Sequence, residues 1–177
     1  MSSAPFRIAA LDIAHGCAAF NSDSGPLNRY LREQVTQDVR RRVAACFVAL
    51  AEGQRIVGYY TLASASLLLS DLPASTGKKL PRYPTVPAVR MGRLAVDQAF
   101  KGQGLGGALL ADALDRAARS EIAAFALMVD AKDEAAAAFY GNHGFIALPD
   151  SPITLFLPLA TVQSSRMLLG ATHLGLS

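Results

Sequence analysis

Tryptophan is missing from this 177-residue chain, cysteine occurs twice and histidine three times. Two cysteines, Cys17 and Cys46, cannot build a disulfide framework, and neither stands in the Cys/His spacing of a zinc site. Reduced thiols packed like small apolar side chains are therefore expected, with no bound metal. Nowhere do about 20 apolar residues run together, as a membrane span requires, and Asp12 and His15 interrupt the one apolar stretch near the start. A cytoplasmic protein that does not enter a membrane is expected. Charge is not abundant either: 18% of the residues are charged and 51% apolar, a balance that excludes general disorder and supplies a sizeable core. The length suits a single domain over 1–177, with no element assigned from about residue 161 onward.

The charge present is unevenly placed. The net charge is +3, yet Lys78, Lys79, Arg82, Arg90, Arg93 and Lys101 face Asp97 alone in the stretch 78–103, which carries +5. Arg29, Arg32 and the run Arg40 to Arg42 make a second basic cluster, offset by Glu33 and Asp38. Such patches attract polyanions, whether the phosphates of a cofactor or of a nucleic acid, although solvated arginines on helix faces give the same pattern.

Apolar periodicity and turn residues order the chain. Phe6 to Leu11 reads as a first strand, and Asn21 to Pro26 supplies turn and cap chemistry before a helix-permissive run from Leu27 to about Arg42. Val43 to Leu50 and Ile56 to Leu69 read as an antiparallel hairpin about Glu52-Gly53-Gln54. Ser70 to Pro87, with four prolines and one glycine, reads as a loop, and Ala88 to Val96 as a further strand. Leu105, Leu109 and Ala113, with Leu110, Leu114 and Ala118, give Leu105 to Ser120 a broad apolar helical face that packs on a sheet. Ile122 to Val129 fits a buried strand, Lys132 to His143 a helix, and Phe145 to Leu159 two short strands broken by Pro149 and Pro152.

Between the strand ending at Val96 and the helix starting at Leu105 stand Gly102, Gly104, Gly106 and Gly107, four glycines in six residues. A structural turn needs one or two. Glycine lets backbone amides approach an anion without side-chain obstruction, and the helix N-terminus adds partial positive charge. The string also satisfies the dinucleotide fingerprint G-x-G-x-x-G through Gly102, Gly104 and Gly107, with Asp130 near the end of the next strand. That fold, however, places its glycine turn after the first strand and needs two βαβαβ halves, whereas antiparallel-type strands fill the chain before this loop and too little follows it. No Gly-Lys-Ser/Thr follows the glycines, which excludes a P-loop.

Lys101-Gly-Gln-Gly104-Leu-Gly106 resembles the pyrophosphate signature R/Q-x-x-G-x-G/A of the GNAT superfamily of N-acetyltransferases. Only the lysine departs from it, which keeps the backbone cradle and alters the side-chain contact at that position. Met91 to Asp97 resembles the strand that splays from its neighbour in that superfamily and pairs with pantetheine. Ala138 to Phe145 (AFYGNHGF) resembles the segment whose tyrosine lies beside the cofactor sulfur. The resemblance implies an α/β (α+β) GNAT fold, with a mixed, mostly antiparallel central sheet whose middle strands splay, flanked by helices. It implies acetyl-CoA as cofactor, bound by Leu94, Ala95 and Val96 and by Lys101, Gly102, Gln103, Gly104, Leu105, Gly106 and Gly107. It implies Tyr140 as the catalytic residue: a phenol of pKa about 10 stays protonated at neutral pH and gives its proton to the departing thiolate. The amine attacks the acetyl carbon directly, with no acetyl-cysteine, and the oxyanion that develops meets a backbone N–H near Val96 before the thiolate departs.

Within the superfamily the acetyltransferase toxins of bacterial toxin–antitoxin modules are similar to nearly the whole chain, through Phe20 to Leu31 (FNSDSGPLNRYL), Gly58 to Ala63, Gly92 to Asp97 and Val129 to Ala131. That resemblance implies acetylation of the amino group of aminoacyl-tRNA, a block of translation, a homodimer, and neutralisation by a small antitoxin with a ribbon-helix-helix domain. Arg29, Arg32, Lys78, Lys79, Arg82, Arg90 and Arg93 are the candidate contacts to RNA. Arg90 and Arg93 either steer the tRNA 3′ end or pair with local carboxylates. Gly58 reads as a bulge in preference to a site of close backbone approach. His143 reads as a helix end in preference to a catalytic base, which has no assignment. Two rival functions remain: a housekeeping GNAT acting on a small amine, peptide or antibiotic, and a non-catalytic CoA-binding module. The first would line its acceptor site with carboxylates, and Ser70 to Pro87 offers only Asp71; retention of Tyr140 speaks against the second.

Overall fold

The computed structural model describes residues 6–162; the unassigned segment beyond lies outside the described residues. Twelve named elements carry the fold: β1 (Arg7–Ala10), α1 (Gly25–Arg29), α2 (Val35–Arg40), β2 (Ala45–Ala51), β3 (Arg55–Leu68), α3 (Ala74–Gly77), β4 (Thr85–Val96), α4 (Leu105–Arg119), β5 (Ala126–Asp130), α5 (Glu134–Asn142), β6 (Ile146–Leu148) and β7 (Ser151–Pro158). The seven strands hydrogen-bond in the order β1-β2-β3-β4-β5-β7-β6, and β1·β2, β2·β3, β5·β7 and β6·β7 are antiparallel. By compactness the chain falls into two units, residues 6–63 with 91–113 and residues 64–90 with 114–162.

In the first unit the expected helix from Leu27 to Arg42 is two pieces joined by a π turn, Tyr30–Gln34, in which Val35 N–H donates to Tyr30 O five residues back. Ser24 caps α1 through its hydroxyl to Leu27 N, and Arg42 ends the segment at φ 61°. The turn keeps Tyr30, Leu31 and Val35 all buried against Phe20, Val48, Ile56 and Tyr59. Glu52-Gly53-Gln54 closes the β2·β3 hairpin as expected, with Gly53 and Gln54 in the left-handed region. Ala49 faces Gly58 while Leu50 faces Ile56, so Val57 is the surplus residue of a bulge. Both readings of Gly58 hold: it adjoins that bulge, and a Cβ there would meet Leu109 Cδ1 at 2.9 Å and Ala95 O at 3.3 Å. Glycine at this position thus sets how deeply α4 seats on the sheet.

In the second unit Leu67, Val86, Ala88, Met128, Leu148 and Phe156 form an apolar core. Here four boundaries differ from expectation. Ser70 to Pro87 is not wholly loop, since α3 forms within it and β4 begins at Thr85. β5 begins at Ala126, not Ile122, because Ile122 is 83% exposed and the strand's buried register starts four residues later. Pro152 lies inside β7, at a residue that β5 and β6 do not pair, where a missing N–H costs nothing. α5 starts behind an Asp133 cap (Ala136 N to Oδ1, 2.8 Å) and ends at Gly144, φ 91°, with Phe145 N–H donating to Tyr140 O at 3.2 Å. That closing bond satisfies an otherwise orphaned helix carbonyl.

Candidate functional site

The glycine loop is a built cradle. Gly102 and Gly104 adopt φ of 78° and 77°, the left-handed region that side chains with a Cβ rarely enter, and nothing lies within 4 Å of a Cβ placed on either. Ala108 N–H donates to Gly104 O at 3.0 Å, the first α-helical bond of α4. The amides of Leu105, Gly106 and Gly107 therefore have no partner within the helix ladder and present donors at its positive end. Gly106 and Gly107 add no side chain over them. Open space, backbone amides at a helix N-terminus and the Lys101 side chain are the groups that binding of an anion requires.

Below the loop the chain is pinned by hydrogen bonds and ion pairs between segments far apart in sequence. Asp97, 3% exposed, accepts from Asn21 N at 3.0 Å and Ala99 N at 2.9 Å, and lies 3.6 Å from the Arg55 guanidinium. Arg55 in turn stacks over Phe100 at 5.6 Å. Gln98 donates from its backbone to Asn21 O and from its side chain to Ser22 O. Asn28, buried, makes three hydrogen bonds with Ser22, the shortest accepted from the Ser22 hydroxyl at 2.7 Å, and donates a fourth to Asn21 Oδ1. Lys101 Nζ meets Asp23 at 2.5 Å. The polar letters of FNSDSGPLN thus bolt residues 21–28 to the entry of the cradle. The legible signal was a run of small polar residues with no periodicity before a helix.

Leu94, Ala95 and Val96 end β4, and Asp97 N–H just beyond them donates to Val57 O, the bulge residue, at 2.8 Å. Arg93 lies over the Tyr30 ring, 3.5 Å from its centroid, while the Tyr30 hydroxyl donates to Asp38 at 2.8 Å. The hydrogen bonds from Gln34 and Tyr30 hold the Asp38 carboxyl below its ordinary range. Arg32 donates to Phe20 O at 2.6 Å, and Arg29 is exposed on α1. Tyr59 donates to Leu27 O at 2.7 Å.

In the second unit Tyr140, on α5, is 8% exposed between Phe139 and Phe145, with ring centroids at 5.3 and 5.6 Å. Burial pushes its phenol up to about 12, so the hydroxyl remains a proton donor throughout the neutral range. His143 Nδ1 lies 2.8 Å from Phe139 O, and His143 caps the helix, as its turn context suggested. Arg90 pairs with Asp130, whose other oxygen accepts from Thr154 at 2.9 Å. Lys78, Lys79 and Arg82 are exposed together on the loop after α3. Cys17 and Cys46 belong to the packing of the first core, and burial pushes the Cys46 thiol up to about 12. No group of three or more potential metal ligands occurs among the described residues, and no helix there is long and apolar enough to cross a membrane.

The acetyltransferase (GNAT) family profile matches residues 17–145. A tRNA-acetylating toxin of Mycobacterium tuberculosis (strain ATCC 25618 / H37Rv) is 35% identical over 170 residues, covering 95% of this chain and 97% of that one. AtaT, solved in complex with acetyl-methionyl-tRNAfMet, is 29% identical with a TM-score of 0.84 over 89% of this chain and 97% of AtaT. AtaTR bound with AcCoA superposes with a TM-score of 0.77 at 27% identity, over 90% of this chain and 96% of that one.

Proposed function

Because the chain belongs to the acetyltransferase (GNAT) family, we propose that it transfers acetyl from acetyl-CoA to the α-amino group of aminoacyl-tRNA and so blocks translation. The observation that carries this reading is the likeness, over 95% of the chain, to a tRNA-acetylating toxin. Acetyl-CoA supplies an activated acetyl thioester. The amides of Leu105, Gly106 and Gly107 donate to its pyrophosphate, with Lys101, Gly102, Gln103 and Gly104 shaping the cradle. The backbones of Leu94, Ala95 and Val96 hold the pantetheine arm. Tyr140 keeps the proton on its Oη for the departing thiolate. An α-amine titrates near pH 8, lower when its carboxyl is esterified, so bulk water serves as base and no side chain is assigned that role.

Lys78, Lys79 and Arg82 are the principal phosphate contacts, being exposed and grouped. Arg29 joins them. Arg32, Arg90 and Arg93 already serve a carbonyl, a carboxylate and an aromatic ring, so their part in RNA binding is secondary. The whole chain, 1–177, acts as one cytoplasmic domain, homodimeric and neutralised by a ribbon-helix-helix antitoxin. The test is mass spectrometry of aminoacyl-adenosine released from charged tRNA after incubation with enzyme and labelled acetyl-CoA. Label is expected on the aminoacyl-adenosine; label on free small amines alone points instead to a housekeeping acetyltransferase.

A further inference from the structure

The stretch between β3 and β4 has a feature that acetyl transfer does not need. It walls an open cavity of about 750 Å³ whose lining includes Leu68, Leu69, Leu72, Lys78, Arg82 and Tyr83. Tyr83 is 66% exposed and Leu68 50%, so an aromatic ring and an aliphatic side chain stand in water on one concave surface. The backbone beneath is preset: Leu69 N–H donates to Pro84 O at 3.0 Å, and Pro81, Pro84 and Pro87 fix three φ angles around Tyr83. A ring held open in this way loses little entropy when a flat partner lies on it. Lys78 and Arg82 line the cavity and Lys79 is exposed next in sequence to Lys78, against Asp71 as the one acid between residues 64 and 90.

We propose that this cavity receives one unpaired nucleotide of an RNA, its base stacked on Tyr83 over the Leu68–Leu72 floor and its flanking phosphates met by Lys78, Lys79 and Arg82. Every base has a π face and every linkage an anion, and an exposed aromatic set among cations answers both. A second copy of the chain is the poorer occupant, because a two-fold contact here would bring the three cations against their own copies. The proposal rests on the RNA-directed reading above, and its test separates the two.

The probes are a short RNA hairpin closed by a non-nucleotide ethylene glycol linker and carrying a single-stranded 3′ tail, and the same hairpin blunt-ended, bound to the full-length protein as parent, Tyr83→Ala and Tyr83→Phe. Tyr83→Ala is expected to weaken the tailed hairpin by roughly 5- to 150-fold, the loss of one base–aromatic stack, with an unchanged salt slope. Tyr83→Phe keeps the ring and parent affinity, and the blunt hairpin binds all three proteins alike. Acetyl-CoA affinity and thermal midpoint stay at parent values, since the side chain is largely in water. Equal tailed-hairpin affinity in parent and Tyr83→Ala overturns the proposal, as does an equal loss on the blunt hairpin or a shift in sedimentation that makes the cavity a protein contact. Acetylated aminoacyl-tRNA with a silent Tyr83→Ala sinks this subsite alone. A Tyr83-dependent tail with no acetylation of aminoacyl-tRNA sinks the substrate assignment and leaves the subsite standing.

Discussion

The two units each bury an apolar core and differ in what is added to it. In the first, buried polar atoms point at named partners: Asn28 at Ser22 and Asn21, Asp97 at Asn21 and Ala99, Tyr59 at Leu27. Such contacts have direction, and they fix the backbone that leads into the glycine cradle to within a hydrogen bond's tolerance. In the second, the core around Met128 and Phe156 is apolar and its attraction has no preferred angle. Its distinctive groups, Tyr83 and the basic loop, face water. The difference teaches that the approach to the glycine loop adds directed polar contacts to its apolar core, whereas the second unit relies more on filled volume.

The contrast predicts separable losses. Tyr140→Phe, in the second unit, is expected to lower single-turnover acetyl transfer by roughly 10²–10⁴-fold while acetyl-CoA affinity holds. In the parent, a phenol raised to about 12 produces no alkaline limb of its own between pH 7 and pH 10 in a pH–rate profile. A variant as fast as the parent makes Tyr140 a packing residue. Gly104→Asp, in the first unit, forces a Cβ into φ 77° and sets a carboxylate at the cradle. Calorimetry should find acetyl-CoA affinity reduced at least about 100-fold, by backbone strain and like-charge repulsion together, with the fold retained.

Stability effects are smaller in rate terms and sharper as a comparison. Phe156→Ala should cost about 3–5 kcal/mol in urea unfolding by opening a cavity, and leave the affinity of the remaining folded protein for acetyl-CoA unchanged. Asn28→Ala should cost about 1–3 kcal/mol by stranding the Ser22 donors, yet weaken acetyl-CoA binding as the cradle's support loosens. If Asn28→Ala binds acetyl-CoA as well as the parent does, the polar network is structural only. The smallest effect is a pH slope. Cys46 and Tyr140 are raised by burial to about 12, and Tyr30 and Tyr59 are raised as well. Raised acids are neutral in the fold and ionise first in the unfolded chain, so stability is full below about pH 9 and declines from there toward pH 12. The urea midpoint at pH 10.5 should lie below that at pH 8, and Cys46→Val should flatten the early part of the decline.

Much of this is legible in the amino-acid sequence. The hairpin about Gly53, the strand–glycine–helix passage from Val96 to Leu105 and the helix carrying Tyr140 all follow from local periodicity and turn residues. What escaped depended on distance along the chain. Asn21 and Asp97 are 76 residues apart, so nothing local marks their bond. Arg90 and Asp130 were each noticed, but that they pair belongs to the fold. The short α3 lies among prolines, and apolar pattern alone places the start of β5 four residues early because Ile122 is apolar yet solvent-facing.

The π turn at Tyr30–Gln34 has a consequence for insertions and deletions. A helix that spans five residues between Tyr30 O and Val35 N–H carries one more residue than its hydrogen bonding requires. An ordinary helix would lose phase by about 100° if one residue were removed, turning its buried face toward water. Here the turn already holds one residue more than an α turn, so a single deletion inside it can restore i→i+4 bonding. Val35 would then stand about 40° from Tyr30 around the axis, close to where the π turn now brings it, and Tyr30, Leu31 and Val35 would stay buried on one face. A one-residue shortening should therefore be tolerated better inside this turn than within α4, whose buried face runs from Leu105 to Ala118.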